Sequence, residues 1–339
     1  MRLTLAVVLW TALLAYQVEA HQALWNYGLF GYNWPYQASN KTQDWNSNAV
    51  VSPLRKTQNL TIAEWFGRGM TKYPPRTGEF MSLPSGGIYQ GEIACNRAYT
   101  KLMQQPSLNG SNLTPFACEG GTMHQINPLV TSPPPNNTWL GGTALAIAYT
   151  SDVDTLKPSD MVIISVNFTS VFWREIDYSI PKGLPPCPDG GCLCTWNWYH
   201  LAGHGEGYGQ EMYNTLYRCN VTGETDSSVS LALGAGTVPV YCGNDTSSCV
   251  TGPKTPMYAW MAEGSNMPDS PIPRYSAGFG FSDGAQTDVL SVAKPSVNSA
   301  ARRRSTNPSI FRFLGTILRP SDHRTRTTNG MRMRRRIGL

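Results

Sequence analysis

The 339-residue chain lacks a hydrophobic run long enough to span a membrane, and charged residues make up only 14% of it. Its longest apolar stretch begins at Leu3 and falls short of the roughly 20 residues that a transmembrane helix needs. A basic residue precedes this stretch, and Val18-Glu19-Ala20 follows it with small residues at the two positions that signal peptidase inspects. This is the pattern of a secretory signal peptide. We therefore predict that residues 1–20 are removed and that the secreted, extracellular chain begins at His21.

Most of the chain lacks excess positive charge, although its formal net charge is +5. The segment from Arg302 to Leu339 holds eleven arginines and one acid, Asp322. Subtracting its +10 from the whole-chain value leaves −5 for residues 1–301, so we expect no nucleic-acid partner. Blocks of like charge are usually disordered. We predict one domain over residues 21–293 and a basic tail over residues 294–339, which is either a disordered extension or an artefact of gene prediction.

The sequence also lacks the cysteine spacing of common zinc sites, since "CPDGGCLC" reads C-x4-C-x-C. Eight cysteines, an even number, behind a signal peptide indicate structural disulfides. Their connectivity does not follow from sequence, although short loops favour Cys95–Cys118 and Cys242–Cys249. Glycosylation sequons support export, and those used must lie on the surface. The disulfide candidates are Cys95, Cys118, Cys187, Cys192, Cys194, Cys219, Cys242 and Cys249, and the glycosylation candidates are Asn40, Asn59, Asn109, Asn112, Asn136, Asn167, Asn220 and Asn244.

Helical patterns are few, and we find no internal repeat. Thr61-Ile-Ala-Glu64 is a capping box, which predicts a short helix before "WFGRGM", and "IACNRAYTKLM" from Ile93 predicts a second. Elsewhere, runs rich in β-branched and aromatic residues are separated by Pro, Gly, Asn and Asp. Short strands, long loops and disulfides together predict an all-β antiparallel sandwich. The predicted strands are "TALAIAYT" from Thr143, "MVIISVNFTSVFW" from Met161, "CTWNWYHLA" from Cys194, "EMYNTLYRCNVTG" from Glu211 and "VSLALGAGTVPVY" from Val229.

Histidine is scarce, with five in the chain, so His21 at the predicted new terminus is either a coincidence or a functional residue. An N-terminal histidine offers its α-amine and its ring Nδ1, and both can bind one metal as a six-membered chelate. A second imidazole would complete a T-shaped, three-nitrogen site of the kind that suits copper(II). The amine must lose its proton to bind, so binding depends on pH. Composition alone leaves the partner open among His124, His200 and His204, each of which is more often a surface or core histidine.

Several separated motifs occur in the order that they have in one known family. Between His21 and about Cys249 the chain resembles the fungal lytic polysaccharide monooxygenases of auxiliary activity family fourteen. The motifs that carry this resemblance are "HQALWNYGLFGYN", "YPPRTGEFMSLPSGG", "GEIACNRAYT", "GGTALAIAYTSDVDTLKPSDMVIISV", "CPDGGCLCTWNW" and "QEMYNTLYRCNVTG". The resemblance implies an immunoglobulin-like β-sandwich with long loops and a few short helices.

The same resemblance implies a copper enzyme, with one ion held in a histidine brace. An external electron donor, such as a small phenol or a secreted dehydrogenase, reduces the copper, and O2 or H2O2 is the cosubstrate. A glycosidic C–H bond is then hydroxylated, so that the polysaccharide breaks. The implied substrates are xylan and the cellulose on which it lies. We expect the enzyme to be a monomer without a membrane span.

By this resemblance His21 is the chelating residue, His124 is the second imidazole, and Tyr213 is the axial neighbour of the metal. Period-two alternation places Glu211 and Tyr213 on one face of a strand, while Gln210 faces the other way. Related enzymes have a polar group near the tyrosine. On this face geometry we predict Glu211, rather than Gln210, as the residue that steers the oxygen species.

Two other functions stay open at the level of sequence. A copper-binding protein of the same fold would keep the same ligands, and an acidic or closed surface around the metal would favour it over the enzyme. A glycoside hydrolase using Glu206 and Glu211 needs carboxyls about 5 to 9.5 Å apart, and it leaves His21 unexplained. Aromatic residues crowd the N-terminal loop and serve either core packing or stacking on sugars: Trp25, Tyr27, Phe30, Tyr32, Trp34 and Tyr36.

Overall fold

The computed structural model of the protein describes residues 22–32, 36–37, 42–43, 49–102, 117, 140–201, 211–231 and 236–292. These residues belong to one structural unit with the bounds Met1–Lys294. The predicted boundaries after residues 20 and 293 fall outside the described residues, so both remain predictions. No helix among the described residues is both long and apolar enough to cross a bilayer.

Strands dominate the described part of the chain. They are β1 (Ala23–Trp25), β2 (Tyr36–Gln37), β3 (Thr42–Gln43), β4 (Leu54–Arg55), β5 (Met81–Ser85), β6 (Ile88–Ala94), β7 (Thr143–Ala148), β8 (Val162–Asn167), β9 (Glu175–Ser179), β10 (Cys192–His200), β11 (Glu211–Gly223), β12 (Val229–Leu231), β13 (Gly284–Ala285) and β14 (Leu290–Val292). A seven-stranded sheet has the order β13-β8-β7-β10-β11-β4, with β5 beside β11, and a three-stranded sheet has the order β1-β6-β9. Every pair is antiparallel except β5–β11, which is parallel. The all-β sandwich prediction is confirmed, with one parallel pair added to it.

The larger sheet is buried on both of its faces. One face packs against the smaller sheet, where Trp196 and Tyr217 meet Leu24. The other face, which includes Leu216, is covered by Trp65 and by the loop around Tyr258. All nine residues of β10 are buried, which explains why its sequence shows no alternation of apolar and polar residues.

The helices are short, as predicted. Helix α1 (Ile62–Trp65) follows the predicted capping box, in which Glu64 Oε2 accepts hydrogen bonds from the Thr61 amide at 3.0 Å and from its hydroxyl at 2.7 Å. Of the described residues in the second predicted helix, only Arg97–Tyr99 are helical, as a 3-10 turn, and its start is wrong because Ile93 and Ala94 end strand β6 and pair with β1. Tertiary pairing overrides local propensity at this point. The 3-10 helices are Lys56–Gln58, Phe66–Lys72, Arg97–Tyr99, Pro158–Asp160, Thr246–Ser248, Ala277–Phe279 and Thr287–Val289.

Four of the five predicted strands appear as β7, β8, β10 and β11. Strand β8 is shorter than predicted because Asn167 Oδ1 accepts hydrogen bonds from the Thr169 amide at 3.0 Å and hydroxyl at 3.1 Å, which turns the chain. Of the fifth, Val229–Leu231 form β12 and residues 232–235 lie outside the described residues. Its second half is wrong, because residues 236–241 form no strand and only a single bridge joins Thr237 to Lys254.

Disulfides join strands and loops of the sandwich, as the cysteine count predicted. The bridges are Cys187–Cys192, Cys194–Cys219 and Cys242–Cys249, and Cys95 is also disulfide-bonded. The predicted pairing of Cys242 with Cys249 is confirmed. Cys118 lies outside the described residues. The Cys194–Cys219 bridge links β10 to β11.

A buried row of amides fixes a left-handed turn against the outer face of β11. The Gly67 amide donates to Asn214 Oδ1 at 2.6 Å, Asn214 Nδ2 donates to Asn197 Oδ1 at 2.7 Å, and Asn197 Nδ2 donates to Thr195 Oγ1 at 3.0 Å. The turn has φ values of 58° at Gly67, 62° at Arg68 and 66° at Gly69. A left-handed conformation is unfavourable for a non-glycine residue such as arginine. The amide row therefore holds Arg68 in a strained position beside the sheet.

Replacing Asn214 with alanine should destabilise the fold. Asn214→Ala leaves the Gly67 backbone amide and the Asn197 side-chain oxygen Oδ1 buried without their partner. We expect a loss of roughly 2–4 kcal/mol in the free energy of unfolding. Urea denaturation of both proteins measures it. Ser82→Ala, which removes an exposed hydroxyl on β5, is the control and should stay within about 0.5 kcal/mol of wild type. Equal stabilities of Asn214→Ala and wild type would contradict a structural role for the amide row.

Candidate functional site

The ends of β10 and β11 bring a carboxylate, an imidazole and a phenol onto one face of the larger sheet. Glu211 at the start of β11 is opposite His200 at the end of β10, and Tyr213 is opposite Trp198. Because side chains alternate along a strand and opposite residues share a face, all four point toward the smaller sheet. His200 and Tyr213 are fully buried, and Glu211 is 5% exposed. The predicted pair Glu211 and Tyr213 is thus together on one face, as the alternation predicted.

Glu211 is held between a cation and a phenol. Arg55 Nε on the neighbouring strand β4 donates to Glu211 Oε1 at 2.6 Å, and the Tyr213 hydroxyl donates to Oε2 at 3.4 Å. Burying a carboxylate is costly unless it is paired, and a charge-assisted hydrogen bond offsets much of that cost. The Arg55 side chain is 33% exposed, so this pair sits at the edge of the site rather than in the core.

Tyr213 is fixed by stacking as well as by its hydrogen bond. Its ring lies 4.4 Å from the ring of Trp198 at an interplanar angle of 26°, and Trp198 meets the His200 ring edge-on at 5.4 Å. Burial raises the pKa of Tyr213 well above its usual value, and the charge of Glu211 adds to this, while Arg68 and Arg55 oppose it. The hydroxyl is therefore protonated at neutral pH.

Arg68 supplies a second cation beside Tyr213. Its Nη1 donates to the Pro53 carbonyl at 2.7 Å. Burial lowers the pKa of Arg68 to about 10, which the proximity of Tyr213 partly opposes, so the guanidinium remains charged at neutral pH. Within the described part of the chain, no carboxylate forms an ion pair with Arg68. The surroundings of Tyr213 therefore hold two guanidinium groups and one carboxylate.

The N-terminal strand packs against the same face of β11. Tyr217 is four residues beyond Tyr213 on that face, and its hydroxyl donates to the Leu24 carbonyl at 2.6 Å. Gln22, the first described residue, is fully buried. The predicted ligands His21 and His124 lie outside the described residues, so their distances to Tyr213 are not part of the structure.

Other predicted site residues are distributed as follows. His204, Glu206 and Gln210 lie outside the described residues, so the proposed carboxylate pair of a hydrolase has no measured separation. No group of three or more His, Cys, Asp or Glu side chains in the described ranges is arranged to hold a metal. Among the sequons, Asn59, Asn220 and Asn244 are exposed and Asn167 is half-buried. Asn40, Asn109, Asn112 and Asn136 lie outside the described residues.

The aromatic residues of the N-terminal loop mostly belong to the core. Trp25, Phe30 and Tyr32 are buried, and Arg97 stacks over the Tyr32 ring with its Cζ 4.6 Å from the centroid. Tyr27, at 37% exposed, is the one side chain described in this group that a sugar can reach. Packing therefore accounts for the buried three, as the more common role of such residues suggests.

Sequence reasoning missed the residues that surround Glu211 and Tyr213. Arg55 lies in a two-residue strand, which is too short to show a periodic pattern. Trp198 and His200 are in a correctly predicted strand, but only the register of β10 against β11 places them beside the acid and the phenol. The one usable signal for Arg68 is its position between two glycines, since Gly-x-Gly often marks an unusual backbone turn.

Removing the Arg55 guanidinium should destabilise the protein through Glu211. We expect Arg55→Ala to lower the free energy of unfolding by about 1–3 kcal/mol, less than for a fully buried pair because Arg55 is partly exposed. Lys56→Ala is the matched control, because its partner Asp269 is exposed and the loss should be within about 0.5 kcal/mol. Chemical denaturation gives both values. Equal effects of the two substitutions would show that Glu211 does not depend on Arg55.

The family model "Lytic polysaccharide monooxygenase AA14" matches residues 3–317 of the chain. The AA14 family lytic polysaccharide monooxygenase B of Trametes coccinea (strain BRFM310) is 35% identical to it, over 80% of this chain and 63% of the relative. The AA14 family lytic polysaccharide monooxygenase B of Pycnoporus cinnabarinus is 35% identical, over 80% of this chain and 70% of the relative. The A protein of Trametes coccinea (strain BRFM310) is 33% identical, over 82% of this chain and 63% of the relative. The match thus spans under two thirds of two of these relatives. With an all-β sandwich fold and a family match over nearly its whole length, the chain belongs to the AA14 family of lytic polysaccharide monooxygenases.

Proposed function

We propose that the chain is a secreted, copper-dependent monooxygenase that oxidatively cleaves plant cell-wall polysaccharide, with xylan associated with cellulose as its substrate. Membership of the AA14 family supports the class of reaction. The observation that carries the proposal is the Glu211–Tyr213 pair at the start of β11, next to strand β1, whose Leu24 carbonyl accepts a hydrogen bond from Tyr217 on the same face. The predicted signal peptide supports secretion.

In this proposal the His21 amine and ring and the His124 ring would hold the copper, with the Tyr213 hydroxyl as its neighbour. The buried Tyr213 hydroxyl fits this role, because a protonated phenol is a weak neutral neighbour that would leave the nitrogens as the main ligands. Bound copper would supply one-electron redox chemistry, with an external electron donor and O2 or H2O2, for the hydroxylation of a glycosidic C–H bond. Nitrogen ligands of this kind suit copper.

The residues of β11 and its neighbours prepare the site in three ways. Trp198 stacks on Tyr213 and fixes the direction of its hydroxyl. The Glu211 carboxylate accepts a hydrogen bond from that hydroxyl and is itself oriented by Arg55. Groups next to a ligand commonly tune a metal by such orientation. We therefore assign Glu211 the role of holding or accepting a proton beside the metal, and Arg55 that of a positioning residue.

Product analysis tests the proposed reaction. Incubation with copper and ascorbate on xylan, cellulose and their mixture should release oxidised oligosaccharides, detected by mass spectrometry, and the largest yield is expected on the mixture. The products should disappear when either the reductant or the oxygen species is withheld. Unoxidised products would indicate a hydrolase and contradict the proposal. Copper binding without any product would favour the copper-binding protein of the same fold.

Extending the N-terminus by one residue tests the use of the His21 amine. An added Gly converts the amine into an amide nitrogen, which resists deprotonation, so the chelate is lost although the ring remains. We expect the Gly-extended protein and His21→Ala to lose copper affinity and reductant-dependent activity to a similar extent. Isothermal titration calorimetry with copper measures the affinity. A surface terminus that serves no purpose would tolerate the extension.

Two further variants serve as controls for the ligand assignment. His124→Ala removes a nitrogen ligand and should lower copper affinity by more than about 100-fold, since even the loss of a residue behind a ligand commonly costs 10- to 100-fold. His200→Ala removes a buried imidazole that packs on Trp198, and its effect on affinity should be much smaller. If calorimetry ranks His200 above His124, the assignment of the second imidazole is wrong.

A further inference from the structure

A pocket of about 430 Å³ lies on the outer side of the smaller sheet, away from the face that carries Glu211 and Tyr213. Its volume is within the range of small-molecule sites, roughly 300–1,000 Å³. Tyr89 of β6 and Tyr178 of β9 point into the core. Their neighbours along each strand, Gln90 and Asp177, therefore point outward and line the pocket. The loop that follows β8 forms another wall, which includes Trp173.

Four charged side chains in and beside the pocket neutralise one another. Arg174 contacts the carboxylates of both Glu92 and Glu175, with its Nη2 3.2 Å from Glu175 Oε1. Lys101 contacts the same two acids through its ammonium, 2.6 Å from Glu175 Oε1, and through its amide, 2.9 Å from Glu92 Oε2. These two cations and two anions cancel, so the remaining charge of the pocket is −1, from Asp177, which also lines it. An anionic ligand such as a phosphate is therefore not favoured, and the described residues hold no cluster arranged for a metal ion.

The remaining lining combines an aromatic wall with an unengaged polar pair. Gln90 of β6 and Asp177 of β9 are register partners and exposed. Neither side chain has a hydrogen-bond partner among the described residues. Trp173 is partly exposed, and the buried ring of Phe172 braces it edge-on at 4.5 Å. The pocket thus offers one flat apolar surface and two side chains free to bind hydroxyl groups.

We propose that this pocket binds one unit of a neutral saccharide. A sugar ring has a face of C–H groups that can stack on Trp173 and an edge of hydroxyls that can hydrogen-bond to Asp177 and Gln90. Aromatic packing with a few placed polar groups is the usual design of a binding site for a small polar molecule. Nothing in the proposed copper chemistry uses these residues.

The sugar can come from either of two sources that share this chemistry. One is a free polysaccharide chain, which the pocket would hold at a distance from the oxidising site. The other is an N-linked glycan on Asn167, which is a predicted glycosylation site and also lines the pocket. Its Nδ2 donates to the Asp177 carbonyl at 3.2 Å, so a glycan attached there would start beside Trp173 and Asp177.

The free-chain source is tested with the full-length, copper-free protein, so that the result does not depend on any oxidising activity. Asn167→Gln removes the sequon, and calorimetry with xylohexaose and with cellohexaose measures binding. In this background, Trp173→Ala should weaken binding at least about tenfold, the loss typical of a central aromatic anchor. Gln90→Ala and Asp177→Asn alter exposed side chains on the strand surface and should also weaken binding. They replace Trp173→Ala in the test if that variant does not fold. Tyr241→Ala removes an exposed ring elsewhere and should leave the affinity unchanged.

The glycan source is tested on the secreted wild-type protein by mass spectrometry of the Asn167 peptide. If the pocket holds that glycan, the glycosylated wild-type protein binds neither hexaose, and Trp173→Ala accelerates enzymatic release of the glycan at least about tenfold over Tyr241→Ala. Either result supports a saccharide site. The proposal is overturned if neither hexaose binds and Asn167 carries no glycan, or if the Trp173, Gln90 and Asp177 variants leave both binding and glycan release unchanged.

Discussion

The buried hydrogen bond from the Tyr217 hydroxyl to the Leu24 carbonyl joins the two sheets at the place where the site is built. It fixes the first strand of the smaller sheet on β11, four residues from Tyr213 along the same face. The metal site proposed above would use the chain terminus and would need this kind of anchor, because an N-terminus is otherwise among the least ordered parts of a protein. The hydrogen bond to Leu24 supplies one within the described residues.

The rigidity of the site comes from burial of the larger sheet on both faces. Tyr213 is stacked on Trp198 on one side of β11, while Asn214, the next residue, anchors the left-handed turn on the other. Sites supported by packed strands hold their geometry better than sites built on loops. Arg55 is the exception, since it belongs to a two-residue edge strand and is partly exposed. The most adjustable contact of Glu211 is thus the one at the sheet edge.

The sequence allowed the face of β11 and the bounds of this strand to be predicted, because a long strand with Tyr213 and Glu211 two residues apart shows its alternation directly. The capping box before α1 was equally local. Strands β6 and β9 were missed although both alternate, since Gly91 interrupts the first and the second is short. The surroundings of Glu211 depend on register and on an edge strand 156 residues earlier, and no local pattern encodes such contacts.

The left-handed turn at residues 67–69 suits its two glycines but not the arginine between them. Glycine suits positions 67 and 69, and a side chain at 67 would also approach Leu216 Cβ to 3.0 Å. Arginine does not suit position 68, where the left-handed backbone costs roughly 1–2 kcal/mol. Selection for thermal stability alone would therefore favour glycine or asparagine there and would remove the guanidinium beside Tyr213. In a library screened only for heat resistance, variants with a higher melting temperature would therefore tend to replace Arg68. Variants that keep Arg68 would keep the positive charge beside Tyr213 at the cost of that stability.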